Sequence, residues 1–147
     1  MGIGLMEKEI LELQEENSRL KMLSEADGLT GLYNRTTAEN IIIERLKKNE
    51  GGNLMVVDVD GFKRINDRYG HLFGDEVLKG LTALMKEIFP PENVVGRFGG
   101  DEFIIFTTRE CTLQEAMQKG KELIRRMQLM GDKMGVEGRR SEEHTSE

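Results

Sequence analysis

The chain is poor in the residues that brace extracellular and membrane proteins. It has one cysteine, Cys111, in 147 residues, so no disulfide can close within it and a reducing cytoplasm is the expected setting. Nothing beside Cys111 in sequence marks it as activated, and it reads as an inert small residue. No apolar run approaches the ~20 residues that span a bilayer. The start, Met1-Gly2-Ile3-Gly4-Leu5-Met6, lacks the basic opening and apolar core of a signal peptide, and Met6 stands where a myristoylation signal wants Ser or Thr. Basic excess is missing too: 21 Lys and Arg face 27 Asp and Glu, for a net charge of -6. No basic excess therefore argues for nucleic acid or an anionic membrane as the main partner, while polyanionic nucleotides would need metal ions and a few local cations to offset the acids. The two prolines are adjacent, Pro90-Pro91, so they punctuate one place only.

What is present is periodicity. From Ile3 to Leu23, the residues Ile3, Met6, Ile10, Leu13, Asn17 and Leu20 alternate three- and four-residue steps, an a/d heptad seam with glutamates outside it. Asn17 at an a position favours a two-stranded parallel pair in fixed register. The competing reading is a lone amphipathic helix packed on its own domain. The next stretch, Ser24 to Arg35, has two glycines and several turn formers and reads as a linker.

Thr36-Thr37-Ala38-Glu39 has the form of a capping box, predicting a helix from there to about Lys48. Leu54-Met55-Val56-Val57 predicts a strand buried on both faces, ending in Asp58-Val59-Asp60. Phe62, Ile65, Tyr69 and Phe73 space a short helix. Val77 to Phe89 predicts a longer one stopped by Pro90-Pro91. Val94-Val95 and Phe103-Ile104-Ile105-Phe106 flank Gly99-Gly100-Asp101-Glu102 as a β-hairpin, with the glycines supplying the positive φ of a tight turn and the acids suited to a hard divalent cation. Thr112-Leu113-Gln114-Glu115 is a second capping box before a last helix. The methionines read as core filler. The order implies an α/β or α+β sandwich containing an antiparallel pair.

Four ordered segments carry more than this. Asp27-Gly28-Leu29-Thr30-Gly31-Leu32-Tyr33-Asn34-Arg35, then Asp58-Val59-Asp60-Gly61-Phe62-Lys63-Arg64-Ile65-Asn66-Asp67, then Tyr69-Gly70-His71 with Gly74-Asp75, then Arg97-Phe98-Gly99-Gly100-Asp101-Glu102-Phe103, together resemble the GGDEF family of diguanylate cyclases. The resemblance covers Asp27 to about Met130. It implies an α+β fold with an antiparallel-containing central sheet flanked by helices, of nucleotide-cyclase and polymerase-palm type with a ferredoxin-like core. It further implies a bacterial cytoplasmic homodimer that condenses two GTP into cyclic di-GMP.

Carried over by motif position, Asp58, Asp101 and the Val59 carbonyl would hold Mg²⁺ or Mn²⁺, with Glu102 as a further ligand or base at the attacking hydroxyl. Asn66 and Asp75 would read guanine, Lys63 would neutralise β/γ-phosphate charge, and Gly99 and Gly100 would let the turn approach the α-phosphate. His71 and Arg97 are placed either against GTP or as holders of loops. The resemblance makes residues 1–26 a signalling coiled coil below an upstream sensor or input protein, and residues 27–130 the catalytic domain. A catalytically silent GTP-binding module, a coiled-coil interaction protein and an inactive truncated fragment are the alternatives.

Two departures stand out. Pro90-Pro91-Glu92-Asn93 replaces the family's product-inhibition Arg-x-x-Asp, so feedback through that site is not expected. The family domain also continues with a strand, a helix and a basic phosphate-binding motif, so the domain is expected to be incomplete here, with a core strand left unpaired. Residues 131–147 read as an atypical tail. Residues 140–147 match the translation of a sequencing adaptor, from which a truncated gene is expected.

Overall fold

A computed structural model describes residues 2–135 of the chain. The tail 136–147, and the expectation attached to residues 140–147, lie outside the described residues. The elements run α1 (Gly2–Glu25), β1 (Tyr33–Asn34), α2 (Arg35–Lys47), β2 (Leu54–Asp58), α3 (Phe62–Tyr69), α4 (His71–Ile88), β3 (Val94–Arg97), β4 (Glu102–Phe106) and α5 (Leu113–Lys133).

The sheet has the order β1-β3-β4-β2, with β1 parallel to β3 and the other pairs antiparallel. It is mixed and helix-flanked, as the α+β expectation requires. Met55, Val57, Phe103 and Ile105 turn to one face, where α4 and α5 bring Leu78, Leu81, Met85, Phe89 and Leu123 to form the main core. Phe106 and Val94 turn to the other, where α2 supplies Ala38, Ile41 and Ile42. Gly96 is required beneath α2, because a Cβ there would come 2.8 Å from the Ala38 methyl.

Several expectations shift. β2 is not buried on both faces: Leu54 is 59% exposed and Val56 63%, because β2 ends the described sheet and α2 sits over β1 and β3 instead. The Thr36 capping box does not form. Asn34 closes β1 and caps α2, its side-chain oxygen accepting from the Thr37 N–H at 3.0 Å, so Thr36 lies inside the first turn. The Thr112 box does form, with Glu115 N–H donating to Thr112 Oγ1 at 3.1 Å and Thr112 N–H to Glu115 Oε1 at 3.0 Å.

The short β1, read as linker, pairs Tyr33 with Gly96 and Asn34 with Arg97. α4 starts at His71, not Val77, since only Gly70, at φ 92°, interrupts the helical run after α3. α5 continues through Gly131 to Lys133. Met85 fills the core as expected, whereas Met6 and Met117 are 61% and 55% exposed.

From Gly4 to Lys21 every residue of α1 is exposed, including Met6, Ile10, Leu13 and Leu20. This removes the reading in which the helix packs on its own domain. Its apolar stripe is left uncovered by the rest of the described chain. No helix among the described residues is long and apolar enough to cross a membrane.

Candidate functional site

The β2/β4 register builds the acidic end of the site. Thr107 N–H donates to Asn53 O at 2.9 Å, and Val59 N–H donates to Asp101 O at 3.0 Å. Odd-numbered β2 residues therefore bond to β4, and the register sets Asp58 opposite Glu102 in a non-hydrogen-bonded pair, where side chains approach most closely. Like charges directly opposite are unfavourable unless a cation lies between them. The same register places Asp101 beside Val59, so Asp58, Val59, Asp101 and Glu102 meet at one end of the sheet.

No group of three or more His, Cys, Asp or Glu side chains converges on one point among the described residues. The donor set on offer is a few carboxylates with the Val59 carbonyl, which also accepts from Phe62 N–H at 3.3 Å. This fits Mg²⁺, which binds through one or two carboxylates and completes its shell with water and phosphate oxygens. It does not resemble an all-protein cage.

The second half follows along the chain. β2 runs out through Val59-Asp60-Gly61, where Gly61 at φ 70° turns the backbone into α3. Lys63 is exposed in the first turn of α3. Asn66, one turn on, lies against Gly74 in α4, the residue before Asp75. His71 is exposed at the start of α4. A groove of about 840 Å³ beside β2 takes in Asp58, Val59 and Asp60 but is otherwise lined largely by apolar residues such as Met55, Leu123 and Met127; it contains none of Lys63, Asn66, Asp75, Asp101 or Glu102.

The hairpin turn differs from the expected one. Neither Gly99 nor Gly100 has positive φ. Four residues, Phe98 to Asp101, link β3 and β4, and that length relaxes the demand for a left-handed turn. Phe98 N–H donates to Glu102 O at 2.8 Å and closes the loop. A Cβ on Gly100 would meet nothing within 4 Å, so the turn presents bare backbone.

Arg97, left between two roles by its sequence position, is a loop holder. Its Nε donates to Gly99 O at 3.1 Å and its Nη2 to Gly100 O at 2.8 Å. Its Nη1 reaches both oxygens of Asp27 at 3.2 Å. Asp27 also accepts from Thr30 N–H at 2.8 Å and Thr30 Oγ1 at 2.7 Å. Burial works to raise this carboxyl, but the Thr30 donors and the Arg97 guanidinium outweigh it and hold Asp27 below the usual carboxylate range. The Asp27 contact was missed in the sequence because it joins positions 70 residues apart, and nothing local signals it.

Comparison with known proteins identifies the family. Residues 24–143 match the family described as diguanylate cyclase, GGDEF domain. The chain is 39% identical over 98 residues to the probable diguanylate cyclase DgcC of Escherichia coli, covering 64% of this chain and 26% of that protein. It is 34% identical over 112 residues to the cyclic di-GMP phosphodiesterase PdeR of Escherichia coli, covering 75% of this chain and 17% of that protein. The chain thus spans about a quarter or less of these relatives' length. The crystal structure of the coiled coil and GGDEF domain of DgcB from Caulobacter crescentus, in complex with c-di-GMP, superposes with a TM-score of 0.75 at 26% identity, covering 82% of this chain and 65% of that one. A mixed sheet with this register, an acid pair at its end and a match across most of the length place the chain in the GGDEF domain family of diguanylate cyclases.

Proposed function

We propose that this domain is the catalytic half of a homodimeric diguanylate cyclase. Each protomer holds one GTP, and α1 pairs two protomers so that the nucleotides face each other. The 3′-hydroxyl oxygen of one GTP forms a bond to the α-phosphorus of the other while the bond to pyrophosphate breaks. The reciprocal step closes the ring, so two GTP yield cyclic di-GMP, two pyrophosphates and the two hydroxyl protons.

The observation that carries this reading is Asp58 facing Glu102 across a non-hydrogen-bonded pair with Asp101 adjacent. Two opposed carboxylates at a strand end are unfavourable by themselves and favourable around a cation. Asp58, Asp101 and the Val59 carbonyl would hold Mg²⁺ or Mn²⁺. When bound, the cation supplies charge neutralisation at the phosphate and acidity at the hydroxyl.

The rest is the work of this chain's own groups. Lys63 offsets charge on the β/γ-phosphates. Asn66 donates to the guanine carbonyl, and Asp75 accepts from N1–H and the exocyclic amine. Glu102 is a further ligand or takes the hydroxyl proton. Gly99 and Gly100 leave the backbone open to the α-phosphate.

A silent GTP-binding module remains the competing reading, since the similar PdeR is named for phosphodiesterase activity. Turnover of labelled GTP separates the two: a cyclic dinucleotide that disappears in Asp101→Ala supports the cyclase, and nucleotide bound but unconverted by the intact gene product supports the silent module.

A further inference from the structure

Asn66 carries the one buried, unpartnered side-chain atom found among the described residues, its Oδ1. A buried amide oxygen without a donor is unfavourable, and its position needs a cause. The cause lies in α4. The oxygen rests on the α-carbon of Gly74, in the space that any Cβ at position 74 would occupy, and such a Cβ would also sit 2.9 Å from Asn66 Cγ and 3.3 Å from Phe62 Cζ. Gly74 is helical, without positive φ, so its backbone does not demand glycine. The neighbour that demands it is the Asn66 amide.

We propose that Gly74 is a positioning residue for guanine recognition, acting through Asn66. With Oδ1 turned inward onto bare backbone, the amide nitrogen is the end left to donate to a base carbonyl. A methyl at position 74 evicts the amide oxygen, which is the movable tip of a side chain. The helix itself gains, because alanine is a better helix former than glycine. Stability and base recognition therefore move in opposite directions at one position, which a purely structural glycine does not do. This proposal rests on the reading of Asn66 and Asp75 as the guanine contacts.

The test is calorimetric titration of the chain with GTP, ITP and ATP in Mg²⁺, using wild type, Gly74→Ala, Asn66→Ala and the double variant, with thermal melts of each. Expected are an unchanged or raised melting temperature for Gly74→Ala, about tenfold weaker GTP binding from loss of one base hydrogen bond, and a reduced preference for GTP over ATP. Against an Asn66→Ala background, Gly74→Ala adds no further loss. Wild-type affinity and selectivity in Gly74→Ala overturns the proposal, as does an equal loss in both backgrounds. A wild-type chain that binds no GTP overturns the guanine-site reading and this inference with it, whereas GTP binding that ignores Gly74→Ala overturns the inference alone.

Discussion

One guanidinium, that of Arg97, joins Asp27, just past the end of α1, to the carbonyls of Gly99 and Gly100 in the hairpin turn. Both side chains are largely buried, at 16% and 21% exposed. The segment leaving α1 and the turn bearing Asp101 are thus tied by one charged group.

Asp27→Asn keeps the shape and removes the charge. It should destabilise the domain by about 1–2 kcal/mol, as expected for hydrogen bonds to an ionised group, measured by urea unfolding at neutral pH. The pH sign follows from the lowered Asp27 carboxyl: its contribution is complete above the ordinary aspartate value of 3.8 and is lost as pH falls through the lower folded value. The gap between wild type and Asp27→Asn should close over that acid range. A gap that stays constant would show that the charge is not responsible.

The acid pair makes an opposite prediction. Asp58→Asn or Glu102→Gln relieves the like-charge opposition set by the register, so each variant should melt slightly higher than wild type in EDTA. In Mg²⁺ the order should reverse, because only wild type keeps the full donor set. Melting curves with and without the cation check both halves.

The exposed stripe on α1 predicts an assembly phenotype without a folding one. Ile10→Glu with Leu13→Glu, at 51% and 64% exposed, should convert a dimer to a monomer in analytical ultracentrifugation. Domain stability should change by no more than about 0.5 kcal/mol, the usual range for surface substitutions. A monomeric wild type would remove the coiled-coil reading.

Burial separates two apolar residues that look alike in sequence. Leu123, 1% exposed in α5, should cost about 2–5 kcal/mol when cut to alanine. Val56, 63% exposed on β2, should cost little as Val56→Thr. Denaturant midpoints of the two variants compare them directly.

The elements set by local chemistry were legible before the structure: the Thr112 box, the Pro90-Pro91 stop, the hairpin strands and the helical spacing of Leu78, Leu81 and Met85. What local pattern cannot carry is neighbourhood. The apolar run Leu54 to Val57 reads the same whether α2 lies above it or above β1 and β3. Two residues of β1 hold no periodicity, and an Asn34 cap outcompetes a well-formed Thr36 box only because the strand ends there. The candidate acids were readable as a motif, but their opposition across β2 and β4 needed the register. The role proposed for Gly74 needed the Asn66 oxygen resting on it.

The central claim is that the acids at the β2/β4 end and the amide–carboxylate pair of α3 and α4 form one nucleotide site. An NMR titration of the chain with GTP and Mg²⁺ tests it most directly. The account predicts saturating shifts with a single affinity at Asp58, Val59, Asp101 and Glu102 and at Asn66 and Asp75 together, with neither set responding fully to ATP. Shifts confined to one set, or absent from both, would contradict it.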